Sequence, residues 1–187
     1  MFKKANYLSL FFLTFLTTSV LFAQKNVIKW NKNVQLTWKD FNEKKGSELA
    51  YSAVAIKLKP LISNTKRIQL EIYAYFDKKK SRTGIYDDHV LKHEQLHFLI
   101  GELFARKLRK KILYTDRQKF FKDRNEFNKL YQENYKEYLE YQKLYDQETT
   151  YSVNRAAQQK WVKKVEKELT DYNRFKNPII DLRKWLI

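Results

Sequence analysis

The sequence predicts an α+β fold in which a small antiparallel sheet near the N-terminus precedes a mainly helical region. Two segments, residues 54–58 and 68–76, alternate apolar and polar side chains with a period of two, which is typical of half-buried strands. The polar connection at residues 60–66 predicts that they form a hairpin. From residue 88 to about 112 the only helix-breaking residue is Gly101, and apolar side chains occupy almost every face. This pattern predicts a long buried helix.

The N-terminus predicts export. Lys3 and Lys4 precede an apolar run over residues 8–22 that ends at Ala23, as in a secretory signal peptide. We therefore expect residues 1–23 to be a signal peptide, with an uncleaved anchor as the alternative, and the mature protein to be periplasmic or secreted. Residues 24–187 are expected to form a single domain, mostly β over 24–84 and mostly α over 85–187, with no integral membrane span after cleavage.

The composition limits the metal ligands and the binding partners that this chain can have. There is no cysteine, which excludes disulfides and thiolate metal ligands, so any metal must be held by nitrogen and oxygen. The net charge of +17 suggests contact with anionic polymers, but the lysines are spread along the chain. A generally basic solvated surface is the simpler interpretation, and specific nucleic-acid binding is not expected.

The remaining elements follow from shorter patterns. Residues 27–38 look extended, 38–41 predict a short helical turn, and 42–48 and 78–84 predict loops. A second long helix carries one stripe of aromatic residues, which predicts a packing face against the first helix. The stripe consists of Phe120, Phe127, Tyr131, Tyr138, Tyr141 and Tyr145. A last helix is expected at about residues 154–172, followed by a short apolar tail.

All three histidines lie within nine residues, and two belong to the run His93-Glu94-Gln95-Leu96-His97. Histidines four residues apart share one helical face, so both imidazoles can reach a single ion. In this zincin signature, Zn²⁺ is held by the two histidines and a third ligand, and Glu94 is the general base for the metal-bound water. His89 is too far from His97 to share the ion, and we expect it in the first turn or in a cleft wall.

The basic residues after the motif have a simpler expected role. Lys107, Arg109, Lys110 and Lys111 follow the motif toward the end of its helix. There they would complement the negative end of the helix dipole. The strand that precedes this helix offers an edge to which a peptide substrate could add as a further β-strand.

Several segments together resemble a known family. They are Leu36-Thr37-Trp38-Lys39-Asp40-Phe41, the histidine motif with Phe98, Ala105-Arg106-Lys107-Leu108-Arg109, Tyr145-Asp146-Gln147-Glu148-Thr149 and Gln159-Lys160-Trp161. In this order they are similar to the bacterial domain-of-unknown-function 922 family of predicted secreted zinc-dependent proteases. The resemblance implies a zincin-like helical region, a Zn²⁺ cofactor, and a peptide or protein substrate in the cell envelope.

The third metal ligand has two candidates. The family usually has a histidine three residues after the glutamate of its Asp-x-Glu-Thr segment, where this chain has Tyr151. If that histidine is the ligand, zinc binding is weakened here and the protein is inactive. If Glu148 is the ligand, Tyr151 could donate from its phenol to the reaction's oxyanion. Continued past Tyr145, the aromatic stripe points both residues inward, and we favour His93, His97 and Glu148 as ligands, with Glu94 and Tyr151 catalytic.

The leading hypothesis is an exported zinc-dependent metallopeptidase in which metal-bound water, activated by Glu94, attacks a peptide bond. The first alternative is a catalytically impaired zincin-like scaffold that binds a cell-envelope partner or anionic polymer through its basic, tyrosine-rich surface. A second alternative is a periplasmic metal-binding protein without a catalytic role.

Overall fold

The computed structural model describes residues 26–46, 49–62, 68–116 and 124–182, so the signal peptide expected at residues 1–23 lies outside the described residues. The predicted α+β class is confirmed. The strands are β1 Val27–Lys29, β2 Asn42–Glu43, β3 Ala50–Tyr51, β4 Val54–Ile62, β5 Ile68–Asp77, β6 Arg82–Thr83 and β7 Ile179–Asp181. The α-helices are α1 Asp88–Tyr114, α2 Arg124–Glu148 and α3 Arg155–Asp171, and 3₁₀ turns occur at Trp38–Asp40 and Asn173–Phe175.

The larger sheet is antiparallel, as predicted, and β5 is its central strand. The β4–β5 hairpin pairs Val54 with Phe76 at one end and Ile62 with Ile68 at the other, so β4 extends further into the expected connection than the sequence predicted. On the opposite edge of β5, β1 pairs with residues 75–77 and β7 with residues 69–71. The C-terminal segment, expected only as an apolar tail, therefore completes the N-terminal sheet.

The outer edge of β4 is closed by tyrosines from α2. The carbonyl oxygens of Val54 and Ile56 accept hydrogen bonds from the hydroxyls of Tyr138 and Tyr131, at 2.9 and 3.1 Å. Pro60 lies on the same edge, since alternate residues direct their backbone groups to the same side, and its missing N–H costs no ladder bond there. The aromatic stripe is thus a packing face, as expected, and it also satisfies a strand edge; Phe120 lies outside the described residues.

A second, three-stranded sheet takes two of its strands, β2 and β6, from segments predicted to be loops, and its third, β3, from the residues just before β4. β6 lies at its centre, parallel to β2 and antiparallel to β3. Each strand has only two residues, too few for an alternating pattern to be visible in the sequence. Ser81 and Thr83 are buried here, and the Ser81 hydroxyl donates to the Asp77 carbonyl at 2.7 Å. This small sheet leads the chain into α1.

Helix α1 is buried, as predicted. Its N-cap Asp87 accepts from the backbone N–H groups of His89 and Val90, at 2.7 and 3.1 Å. Residues 100–106 are all buried, which means that every face of those two turns contacts the protein. A Cβ at Gly101 would lie 2.6 Å from Val54 Cγ1, so glycine is required where the helix crosses the sheet.

The sequence predicted that Arg109 complements the helix dipole from the surface. In the structure it is buried instead. It is 1% exposed and forms a buried ion pair with Glu102. Its guanidinium also donates to the carbonyls of Ile72 on β5 (2.6 and 2.9 Å) and Phe175 (2.7 Å). Arg106 donates to Glu102 and to the Leu169 carbonyl at 3.0 and 2.7 Å. The network fastens α1 to the sheet and to the C-terminal segment.

Among the described residues, none of the helices combines the length and apolar character needed to cross a bilayer.

We expect Gly101→Ala to lower the free energy of unfolding by about 1–2 kcal/mol, because the added methyl overlaps the stiff Val54 side chain and this outweighs the roughly 1 kcal/mol gain in helix propensity. Urea unfolding followed by circular dichroism measures the change. In a Val54→Ala background the same substitution should cost less or become stabilising. An equal cost in both backgrounds would show that the contact with Val54 is not responsible.

We expect Arg109→Ala to destabilise the protein by about 3–5 kcal/mol. It leaves the buried carboxyl group of Glu102 with Arg106 as its remaining cation and removes the donors to the Ile72 and Phe175 carbonyls. Arg109→Lys should also be destabilising, since an ammonium cannot reproduce the fork of donors. Thermal unfolding provides the measurement, with Lys110→Ala at the neighbouring exposed position as the control. If the two alanine variants melted at the same temperature, the buried network would not matter to stability.

Candidate metal centre

Three side chains converge on one point at the interface of α1 and α2. His93 and His97 lie one turn apart on α1, and Asp146 comes from the last turn of α2. Asp146 Oδ1 is 3.1 Å from His93 Nε2 and 2.9 Å from His97 Nε2, and the two Nε2 atoms are 3.1 Å apart. Of the described residues, these form the one cluster of histidine and acidic side chains with metal-site geometry. We call them the metal triad.

The distances within the triad are close to those of a tetrahedral zinc site. With ligand bonds of about 2.0–2.1 Å, two ligand atoms of tetrahedral Zn²⁺ are roughly 3.3 Å apart. The triad atoms lie slightly closer than this, at 2.9–3.1 Å. Two imidazole nitrogens and a carboxylate oxygen are also a donor set that zinc accepts. The residues therefore fit this metal.

A hydrogen-bond chain orients His97. Gln142 Oε1 accepts from His97 Nδ1 at 2.5 Å, and Gln142 Nε2 donates to the His97 carbonyl and to the Tyr138 hydroxyl, at 3.2 and 2.9 Å. Tyr138 in turn donates to the Val54 carbonyl. Because Nδ1 carries the hydrogen, neutral His97 has its lone pair on Nε2, directed at Asp146. This is the tautomer that binds a metal through Nε2.

The facing ligand atoms of the triad favour a proton or a cation among them. Burial lowers the pKa of His97, but hydrogen bonding to Asp146 and the charges of Glu94 and Asp146 outweigh it and raise the pKa. Burial raises the pKa of Asp146, and its contacts with His93 and His97 outweigh that effect and hold the pKa well below its usual range. The facing lone pairs of neutral His97 and ionised Asp146 are thus relieved by a proton or by a metal ion.

The ring of Tyr145 packs against both imidazoles of the triad. It stacks on His93 with centroids 4.4 Å apart and meets the edge of His97 at 4.9 Å. The side chain is fully buried and its hydroxyl donates to the His93 carbonyl at 3.3 Å. Burial, with the negative charges of Glu94 and Asp146, raises the pKa of Tyr145, so the phenol stays neutral. It acts as a packing platform for the triad.

Glu94 lies beside the triad in an open cleft. The cleft, which we call the histidine cleft, has a volume of about 930 Å³ and is lined by His93, Glu94, His97 and Asp146, among others. Glu94 is 3% exposed, and its Oε2 atom has no hydrogen-bond partner among the described residues. A buried carboxylate oxygen without a partner is costly. Its position next to a solvent-accessible cleft makes it a ready acceptor for a water molecule.

Gln95, between the two histidines of the motif, points away from the triad toward residues 34–36. Its side-chain oxygen accepts from the Leu36 backbone N–H at 2.7 Å, and its nitrogen donates to the Val34 carbonyl at 3.4 Å. Leu36 and Phe41 are buried against the larger sheet and α1. The segment at residues 34–41 is thereby attached to the helix that carries the triad.

The structure does not bring Glu148 to the histidines. Its Oε2 accepts from Trp161 Nε1 of α3 at 2.7 Å, and Asp146 takes the place expected for it. The prediction assumed that the helix continues past Tyr145 to residue 151. Instead α2 ends at Glu148, and residues 150–152 have positive φ values of 50°, 49° and 79°. Tyr151, 59% exposed, lines the histidine cleft from this turn. Its role in the oxyanion site stays a prediction.

The turn at residues 149–154 is held in a strained backbone by local bonds. The Tyr151 N–H donates to the Asp146 carbonyl at 2.8 Å, and the Asn154 N–H to the Thr149 carbonyl at 2.8 Å. His89 Nε2 donates to the Ser152 carbonyl at 2.7 Å, so His89 belongs to the cleft wall. Three consecutive left-handed residues without glycine store energy, which proteins tolerate mainly at functional sites.

Asp146 was not among the predicted ligands, although the helical spacing of its neighbours indicates its position. Tyr138, Gln142, Tyr145 and Asp146 follow the spacing i, i+4, i+7 and i+8, which places all four on one helical face. An acidic residue on an otherwise aromatic, buried face is unusual unless it has a partner. Extending the stripe by three residues from Tyr145 led to Glu148, whereas four residues from Gln142 leads to Asp146.

Comparison with protein-family models gives a match over most of the chain. The model described as "Bacterial protein of unknown function (DUF922)" matches residues 33–152. The matched region contains the metal triad, Glu94 and Tyr151, and it ends before α3. Searches of curated proteins and of solved structures each gave no match.

We expect Asp146→Asn to lower the affinity for a divalent metal by roughly tenfold or more, because it removes the charged member of the triad. Glu148→Gln should leave metal binding unchanged, since an amide oxygen still accepts from Trp161. Metal content per chain, measured by mass spectrometry after dialysis against Zn²⁺, compares the two variants. Loss of metal in Glu148→Gln, with retention in Asp146→Asn, would restore Glu148 as the ligand.

Proposed function

We propose that this chain, which belongs to the bacterial DUF922 family of unknown function, is an exported zinc-dependent metallopeptidase. The observation that supports this most directly is the convergence of His93, His97 and Asp146 beside Glu94 in an open cleft. The arrangement corresponds to a catalytic metal site with three protein ligands, rather than to a closed structural site with four.

In this proposal His93, His97 and Asp146 hold Zn²⁺, and Asp146 replaces the Glu148 of the sequence interpretation. When bound, the metal lowers the pKa of a water molecule and polarises a carbonyl group. The hydrogen bond to Gln142 keeps the His97 lone pair on Nε2, and the ring of Tyr145 fixes the plane of His93. The protein thereby presents its ligand atoms in a fixed geometry.

Glu94 is the proposed general base. Its unpartnered Oε2 accepts a proton from the attacking water, and the same carboxyl group returns the proton to the leaving amine. Burial in the wall of the cleft keeps bulk water away from the carboxylate, so its oxygen is left for the reacting water. Tyr151, on the strained turn above the cleft, is the proposed donor to the oxyanion.

The path of the substrate is suggested by β3. The Leu49 carbonyl accepts from the Gly84 N–H, and Tyr51 pairs with Arg82 of β6. The backbone groups of Ala50, between them, therefore point away from β6, toward the outer edge that β3 forms among the described strands. Ala50 lines the histidine cleft. The strand expected to offer this edge, β5, is paired on both sides, so the edge is provided by β3 instead. A peptide can add to β3 as a further strand and pass over the triad. The substrate is a peptide or protein of the cell envelope, where the signal sequence would deliver the enzyme.

We expect Glu94→Gln to retain stoichiometric zinc while the rate of peptide hydrolysis falls by about 100-fold or more, because the amide cannot accept the proton. Hydrolysis of a casein-derived peptide mixture, followed by mass spectrometry, provides the measurement, and Glu148→Gln is the matched control. Loss of zinc in purified wild-type protein would contradict the proposal. Equal hydrolysis by wild type and Glu94→Gln would instead favour the non-catalytic scaffold.

A further inference from the structure

The rim of the histidine cleft is apolar. Five large apolar side chains line the cleft while 48–76% of their surface stays exposed: Leu49, Tyr51, Leu139, Tyr151 and Val153. They come from the β3 region, from α2 and from the turn after α2, so they surround the opening instead of forming one stripe. Exposed apolar side chains gathered around a concave site indicate a surface that is covered by a ligand.

The same cleft carries cationic side chains at its margin. Lys44, Arg82 and Arg155 line it, and Arg82 is the register partner of Tyr51 in the small sheet. Lys44 and Arg82 form no ion pair with any residue within the described ranges 26–46, 49–62, 68–116 and 124–182. Unpaired cations beside apolar side chains favour an occupant that is both apolar and anionic.

The occupant is better explained as a polypeptide than as a membrane surface. The apolar side chains lie around a concavity of about 930 Å³ that contains Glu94 and Asp146, both acidic. A lipid surface is flat and would leave this concavity, with the outward-facing backbone groups of Ala50, unsatisfied. An extended chain can reach the triad and place side chains against the rim.

We infer that the histidine cleft selects polypeptide segments in which a large apolar or aromatic side chain has acidic neighbours. The apolar side chain packs among Leu49, Tyr51 and Val153, and the acidic side chains pair with Lys44 and Arg82. The inference rests on the proposed function for the fate of the bound segment, whereas the selection itself is a property of binding.

Binding to zinc-loaded Glu94→Gln separates selection from hydrolysis. The probes are short, end-blocked, fluorescein-labelled alanine peptides that carry phenylalanine or serine at the centre and glutamate or lysine on either side. Fluorescence anisotropy should show the phenylalanine–glutamate peptide binding about tenfold or more tightly than the serine–glutamate peptide. Added salt should weaken the binding of the glutamate peptides, because exposed charge pairs are screened.

Rim variants locate the binding. Val153→Ser should weaken binding of the phenylalanine peptides several-fold, whereas Leu144→Ser, on α2 outside the cleft and also exposed, should not change it. Arg82→Gln should weaken binding of the glutamate peptides and leave the lysine peptides unaffected. Lys136→Gln, an exposed cation of α2 outside the cleft, is the matched control.

The outcomes are distinct. Equal affinity for phenylalanine and serine peptides, or for glutamate and lysine peptides, would overturn the inference. So would Val153→Ser abolishing binding to anionic phosphatidylglycerol vesicles while leaving peptide binding intact, which would assign the rim to a membrane. If selective binding is observed but wild-type protein hydrolyses none of the bound peptides, the inference stands and the peptidase proposal fails.

Discussion

The buried ion pair between Glu102 and Arg109 is the interaction on which the rest of the architecture depends. Both side chains belong to α1, but the guanidinium also binds the carbonyls of Ile72 on β5 and Phe175 near the C-terminus. A buried pair of this kind adds little net stability over apolar packing, yet the loss of either member is costly. Its effect is therefore to specify one orientation of α1 against the sheet, and the histidines two turns earlier on the same helix share that orientation.

The tyrosines of α2 connect this framework to the metal triad. Tyr138 donates to the Val54 carbonyl at the edge of β4 and accepts from Gln142, which orients His97. Burial, the largest influence, raises the pKa of Tyr138, so its hydroxyl remains a donor. The same phenol thus closes a strand edge and, through Gln142, supports the orientation of His97. The Tyr138 hydroxyl makes one hydrogen bond to Val54 and one to Gln142, so a change at the edge of β4 would alter the orientation of His97.

Several features that cost stability lie around the histidine cleft. Buried polar atoms without a partner in the described residues include His93 Nδ1 and Glu94 Oε2, and the three left-handed residues 150–152 form the adjacent turn. Exposed apolar side chains surround the same opening. Each feature costs stability, whereas the core below is well packed and its buried charges are paired. This contrast is what a binding or catalytic site on a stable scaffold shows.

The sequence by itself determined the α+β class, the hairpin, the buried first helix and the His93–His97 pair, because these follow from periodicities within one segment. The spacing from Gln142 placed Asp146 on the buried face of its helix, but not beside the histidines. The burial of Arg109 and the return of β7 to β5 left no local signal. Each depends on contacts between residues more than thirty positions apart or on another element's backbone. The end of α2 shows the same limit. Extending the periodicity predicted that Glu148 and Tyr151 point inward. The helix ends at Glu148, however, and the Glu148 carboxylate accepts a hydrogen bond from Trp161 of α3. Local spacing therefore identified the first two members of the triad, and only tertiary packing decided the third, because the third arrives on a different helix.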